Sequence, residues 1–210
     1  MTGKVIAVVQ QKGGSGKTTL AVNLATAAIR RGMTVALLDT DPQGSLGRWF
    51  MTRRERLGEA GLEFSTSSAW GVSYECEKLK RDVDLVIVDT PPKVDADLRP
   101  ALREADLVLV PVASSHVDLW ATDGVLDLAA REHKRAWLVL NRTRAGTRLC
   151  EDVARAAEEL TAGVAASRIA NRVVYAETLG LGLGAVESGQ KAAREEVEAF
   201  ADEVMGLLEA

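Results

Sequence analysis

Residues 10–19 read Gln-Gln-Lys-Gly-Gly-Ser-Gly-Lys-Thr-Thr, with three glycines, two lysines and three hydroxyl side chains in ten positions. Gly13, Gly14 and Gly16 allow the backbone to curl so that its N–H groups converge on an anion. Lys17 can then reach the outer phosphates of a nucleotide, and the Thr18 hydroxyl can bind Mg²⁺. A helix starting near Lys17 adds the positive end of its dipole to the same spot. The common phosphate-loop pattern, G-x-x-x-x-G-K-[ST], asks for glycine five residues before Gly16, where Gln11 stands. A pattern that starts one residue later fits, and it leaves Lys12 as one lysine more than phosphate binding needs.

Such a loop must be held between a strand and a helix. Five continuous apolar runs recur along the chain: Val5–Val9, Val35–Leu38, Leu85–Val88, Leu107–Val110 and Ala136–Leu140. They do not alternate apolar with polar residues, so they read as strands covered on both faces. Helix-like segments at 17–31, 94–104, 117–132 and 148–160 lie between and after them. The alternation predicts an α/β fold, a doubly wound and mostly parallel sheet with helices on both faces. No linker, repeat or low-complexity run divides the chain, so 1–210 is expected to be a single domain.

In such a sheet ligands sit beyond the carboxyl ends of the strands. The residues that follow the runs are Gln10–Thr19, then Asp39-Thr40-Asp41-Pro42-Gln43-Gly44, then Asp89-Thr90-Pro91-Pro92, then Pro111 with Ser114-Ser115-His116-Val117-Asp118, then Asn141-Arg142. A carboxylate closing a buried strand beside a phosphate loop, as Asp89 does, suits a Mg²⁺ site.

Composition narrows the class further. Apolar residues make up 47% and charged residues 27%, and the formal net charge is −4, which excludes an all-round basic nucleic-acid binder but not a local basic patch. Cys76 and Cys150 stand alone, without CxxC or Cys/His spacing, and are expected to be reduced thiols. No segment approaches the ~20 apolar residues of a membrane span, and the protein is expected to be cytoplasmic. His116 and His133 lack metal-ligand spacing and read as surface or loop histidines.

Lys12-Gly13-Gly14-Ser15-Gly16-Lys17-Thr18-Thr19 is similar to the deviant Walker A motif and resembles the ParA/MinD family of ATPases. The resemblance continues through Asp39–Gly44, Val88–Pro92 and the Pro-x-x-x-S…D segment at 111–118, and spans about residues 4–190. It implies a P-loop NTPase that uses ATP/ADP and Mg²⁺ and forms a homodimer with ATP. Gly13, Gly14, Ser15, Gly16, Lys17, Thr18 and Thr19 would then wrap the nucleotide. Lys12 would cross to the partner's phosphates, and Lys12, Lys17 and Asp41 would be catalytic, with Asp41 placing the attacking water. Thr18, Asp39 and Asp89 would serve the metal. Asn141 would read the adenine, with Arg142 and the 171–177 loop near the base or ribose.

Within that resemblance, the ParA branch implies nonspecific DNA binding by the ATP dimer, nucleoid association and a ParB-like adaptor that stimulates hydrolysis to segregate or position a cargo. The DNA candidates are Arg144, Arg148, Arg172 and Arg194; the basic run Arg53-Arg54-Arg56 reads instead as a solvated helix face. The chain starts almost at the first strand, without the helix-turn-helix extension of some partition ATPases, so no site-specific DNA recognition is expected. A MinD-like membrane regulator and a P-loop phosphotransferase or biosynthetic enzyme are the alternatives. Against the former, Ala193, Val197, Phe200, Val204 and Leu207 or Leu208 form one helical stripe whose polar face is acidic. Such a helix is repelled by anionic lipid and is expected to pack on the sheet, with no membrane partner. Residues 51–73 match no motif, and 175–187, rich in Gly and Leu, read as a loop near the nucleotide.

Overall fold

The computed structural model describes residues 2–68, 70–93 and 98–209. The strands are β1 Lys4–Val8, β2 Val35–Asp39, β3 Glu63–Thr66, β4 Leu85–Asp89, β5 Leu107–Ala113, β6 Ala136–Asn141 and β7 Gly163–Val164. They form one sheet in the order β3-β2-β4-β1-β5-β6-β7, with every pairing parallel. The five apolar runs all become strands, and the doubly wound α/β class is as predicted. β3 and β7 escape sequence reading because they are edge strands of four and two residues with no apolar run.

The helices are α1 Lys17–Arg30, α2 Ser45–Leu57, α3 Gly71–Leu79, α4 Arg99–Glu104, α5 His116–Trp120, α6 Asp123–Arg131, α7 Arg148–Glu158, α8 Val173–Gly180 and α9 Lys191–Glu209, with a 3₁₀ turn at Ala185–Glu187. The predicted helix 117–132 is two helices. Thr122, fully buried between them, turns its hydroxyl back to the Leu119 carbonyl, 2.6 Å away. Of the predicted helix 94–104, residues 94–97 lie outside the described residues, and α4 covers Arg99–Glu104 with Leu98 at its N-cap.

Continuous apolar strands are explained by two covered faces. Ile6, Val8, Leu37, Ile87 and Leu109 point to α1, α2, α8 and α9; their neighbours Ala7, Val9, Leu38, Val88 and Val108 pack under α3 to α7. In α9, Ala193, Val197, Phe200, Val204 and Leu208 are all buried in the first of these cores, as the stripe predicts. Its acidic face is put to use as well: Glu203 accepts the amides of Ala166 and Ser167 at 2.7 and 2.8 Å, and Glu196 holds Arg172.

Two expectations need correction. The 175–187 segment is a loop only at 181–184; 175–180 belong to α8 and 185–187 form the 3₁₀ turn, with α8 packed against α1 and α2. Arg53 is not solvated; its side chain is 5% exposed and ion-paired with Glu187. Sequence periodicity did not reveal the partner, which lies 134 residues away.

Candidate functional site

Because β1 lies between β4 and β5, the chain leaves β1 towards β2, returns to β4, and then crosses to β5. The order therefore reverses at the carboxyl end of β1, where the crevice of such sheets opens. The glycine-rich loop occupies that point and runs directly into α1 at Lys17. Gly16 has φ +94°, and a Cβ there would stand 2.3 Å from Asn141 Nδ2, so conformation and space both demand glycine. Asn141, at the end of β6, donates from that nitrogen to the Ser15 carbonyl at 2.9 Å and accepts the Arg142 amide at 2.9 Å.

The loop and the acidic strand ends meet. Thr18 Oγ1 donates to Asp89 Oδ2 at 2.6 Å. Asp89 is 1% exposed, and burial pushes its carboxyl up to about 7, against the pull of the Thr18 hydroxyl and Lys17. Lys17 is 7% exposed; burial lowers its pKa, while Asp89 and Asp41 draw it back up. Asp39 also titrates above the usual carboxylate range through burial, although its oxygens accept the amides of Asp41 and Gly47, both at 3.0 Å. Asp39 thus shapes the loop that leads to α2. Asp41 accepts the Gln43 amide at 2.9 Å and keeps its other oxygen without a hydrogen-bond partner among the described residues.

Two buried polar atoms, Ser15 Oγ and Asp89 Oδ1, have no hydrogen-bond partner among the described residues. A threonine hydroxyl and a carboxylate beside a buried lysine form the donor set that holds a hydrated divalent cation next to phosphate oxygens. Backbone N–H groups at the head of α1 complete an anion cradle. The residues present therefore fit a nucleotide phosphate chain with Mg²⁺.

Lys12 stands apart from this cluster. Its Nζ lies 2.8 Å from Asp118 Oδ1, on α5, and Asp118 is held in turn by the Ser115 hydroxyl. Asp118 closes the 111–118 segment, and nothing in the sequence alone links it to Lys12. Of the basic candidates, Arg142, with φ +52°, and Arg144 and Arg148 are exposed after β6. Arg148 pairs with Asp152 at 3.6 Å, Arg172 with Glu196 at 2.6 Å and Arg194 with Glu198 at 4.0 Å; no ion pair engages Arg144 among the described residues. Cys76 and Cys150 are free and buried. Among the described residues no helix is long and apolar enough to cross a membrane.

Residues 6–207 match the family described as CobQ/CobB/MinD/ParA nucleotide binding domain. The chain belongs to this family. Among its relatives in the ParA/MinD group, Maintenance of carboxysome distribution protein A of Halothiobacillus neapolitanus is 29% identical over 95% of both chains. The chain covers only 52%, 63% and 58% of the length of three further curated relatives. Among solved structures, apo McdA from Cyanothece superposes with a TM-score of 0.80 over 96% of this chain and 99% of that one, at 16% identity. A cobyrinic acid a,c-diamide synthase from Mycobacterium smegmatis, solved with an ATP analogue and magnesium, gives 0.76 over 97% and 94%, at 22% identity. These structural likenesses concern the ParA/MinD P-loop fold.

Proposed function

We propose that this chain is a Mg²⁺-dependent ATPase of ParA type that dimerises with ATP, binds DNA nonspecifically and positions a cargo. The observation that carries the reading is the meeting of the Thr18 hydroxyl with Asp89 beside buried Lys17, with an unpartnered carboxylate oxygen left over. Phosphoryl transfer asks a protein mainly for positioning and charge stabilisation, and this cluster supplies both. Lys17 and the loop amides from Gly13 to Thr19 hold the phosphates. Thr18 and Asp89 hold the metal, with the Asp39 charge behind them. When bound, the ion neutralises charge on the phosphate oxygens. Asp41 orients and polarises the attacking water, and Asn141 and Arg142 flank the base.

Lys12 acts from one copy on the nucleotide of another. A second cation brought to a developing phosphate charge works as an arginine finger does. Arg144, joined by Arg148, Arg172 and Arg194 where their acidic partners release them, contacts DNA phosphates. The relative matched over 95% of both chains is named for carboxysome distribution, which supports a protein assembly as cargo, with a plasmid or chromosome region as the other possibility. An adaptor protein stimulates hydrolysis, and the working place is the cytoplasm at the nucleoid. The burial of the α9 apolar stripe supports DNA over membrane as the surface that is bound.

The test mixes the purified chain with ATP and Mg²⁺, then offers nonspecific duplex DNA or anionic liposomes. ATP-dependent, salt-sensitive DNA retention is the expected result. Pelleting with liposomes would favour a membrane regulator, and binding to neither would favour a small-molecule enzyme; both outcomes overturn the proposal.

A further inference from the structure

α2 starts directly after the Asp39–Gly44 loop, so its placement sets where Asp41 stands relative to the head of α1. One buried side chain ties α2 down. Arg53 Nη1 and Nη2 donate to the two oxygens of Glu187 at 2.8 and 2.9 Å, Nε donates to the Ala60 carbonyl at 2.7 Å, and Nη1 also reaches the Gly182 carbonyl at 3.1 Å. The guanidinium lies 5.4 Å from the centre of the Trp49 ring, and Trp49 Nε1 donates to the Leu183 carbonyl at 3.3 Å. Gly182, at φ +71°, lets the strap pass so close that a Cβ there would stand 2.4 Å from the Arg53 backbone nitrogen.

The other side of the same strap grips α1. The Ala185 amide donates to Asn23 Oδ1 at 2.8 Å, and Asn23 Nδ2 donates to the Thr19 carbonyl at 2.8 Å. Glu187 also accepts the Gly184 amide at 2.8 Å, closing the 3₁₀ turn. Residues 182–187 therefore link the helix that follows Asp41 to the helix that begins with Lys17 and Thr18. An apolar contact would hold the two helices together as well, and a buried ion pair is commonly no more stable than its apolar replacement. What the two-pronged guanidinium contact adds is direction, which fixes α2 against sliding and rotation.

We propose that Arg53 and Glu187 are positioning residues, which lock α2 to α1 through the 182–187 strap and so hold the Asp41 loop in register with Lys17 and Thr18. The proposal rests on the roles given above to Asp41, Lys17 and Thr18. The decisive variant is R53M/E187L, which keeps volume and removes both charges. It also leaves the Ala60 and Gly182 carbonyls and the Gly184 amide without their side-chain partners, so it is expected to melt a few degrees below wild type while staying folded. Hydrogen exchange in residues 40–48 of the nucleotide-free chain is expected to be about tenfold faster, with α9 unchanged. ATP turnover is expected to show a fall in kcat of about tenfold or more at nearly constant KM. Unchanged exchange in 40–48 would overturn the proposal whether or not the wild-type chain hydrolyses ATP; absence of wild-type turnover would instead count against the proposed function. R53K keeps the charge without the fork. It is expected to fall between wild type and the double variant in exchange and kcat, so exchange equal to wild type in R53K overturns the proposal even if R53M/E187L does not fold.

Discussion

Lys12 Nζ sits 2.8 Å from Asp118 Oδ1, so the lysine proposed to act on a partner is held at home by a carboxylate of its own chain. The two side chains are 39% and 12% exposed, and a pair this open to water contributes modestly. Asp118→Asn is therefore expected to release Lys12 and tighten ATP-dependent dimerisation by about two- to fivefold, the equivalent of up to ~1 kcal/mol. Lys12→Ala is expected to keep monomer nucleotide binding and lower stimulated hydrolysis by about 10²–10³-fold. Light scattering after size exclusion, with and without ATP, reads the first effect; nucleotide titration and a phosphate-release assay read the second. Weaker dimerisation in Asp118→Asn would mean that the pair belongs to the dimer and does not restrain the monomer.

Asp89 is costly to the chain that carries it. One oxygen has no partner among the described residues, and burial raises its pKa to about 7. An aspartate that titrates higher in the folded than in the unfolded state takes up a proton on folding, so its contribution to stability falls as pH rises from about 4 to about 7. Asp89→Asn removes that slope. At pH 8 without Mg²⁺ it is expected to be more stable by about 1–2 kcal/mol, or a few degrees in Tm. It should also lose the extra thermal shift that Mg²⁺ gives on top of nucleotide. A variant less stable than wild type at pH 8 would sink this account of the site.

Glu196 tests the DNA surface. Burial raises its pKa, but the Arg172 guanidinium, the Tyr175 hydroxyl and the Ala170 amide together hold it below the usual carboxylate range. Its stabilising contribution is therefore present above the unfolded value of about 4.3 and is lost as pH falls through the lower folded value. Glu196→Gln is expected to be less stable than wild type by about 1–2 kcal/mol at pH 7, with the gap closing below pH ~4. Urea unfolding at the two pH values measures it. The same change frees Arg172, so ATP-dependent DNA retention should strengthen, with a log–log salt slope steeper by about 1 per freed arginine. DNA retention identical to wild type would remove Arg172 from the contact set.

The motif-bearing loops were legible because each follows a strand whose apolar run announces it. Val5–Val9 points to Gln10–Thr19 and Leu85–Val88 points to Asp89, and the parallel sheet brings both to one edge. Contacts that span long sequence separations were not. Lys12 with Asp118 and Arg53 with Glu187 obey no periodicity, since each joins elements that only the sheet order makes neighbours. Arg53 in particular carries the composition of a solvated face, and nothing local marks it as buried. The helical identity of 173–180 was hidden by glycine and leucine, which are as compatible with a turn-rich loop as with a short buried helix.

Asn141 joins the end of β6 to the glycine-rich loop, through its 2.9 Å hydrogen bond to the Ser15 carbonyl. It is 2% exposed, so the bond is made away from water, and a side chain that cannot donate leaves that carbonyl short of its partner. Asn141→Ala is expected to lower stability by about 1–2 kcal/mol and weaken nucleotide affinity by about tenfold, because the cradle amides lose their fixed arrangement. Asn141→Asp should be worse on both counts, since it turns an acceptor against an acceptor at nearly constant volume. Lys12→Ala serves as the background for both measurements, so that dimerisation does not enter the affinity. Fluorescent ATP-analogue titration and thermal melting of the nucleotide-free chain then read loop shape separately from fold. If Asn141→Ala and Asn141→Asp bind nucleotide alike, the amide does not hold the loop through Ser15. Any remaining loss of affinity would then belong to a direct contact with the base.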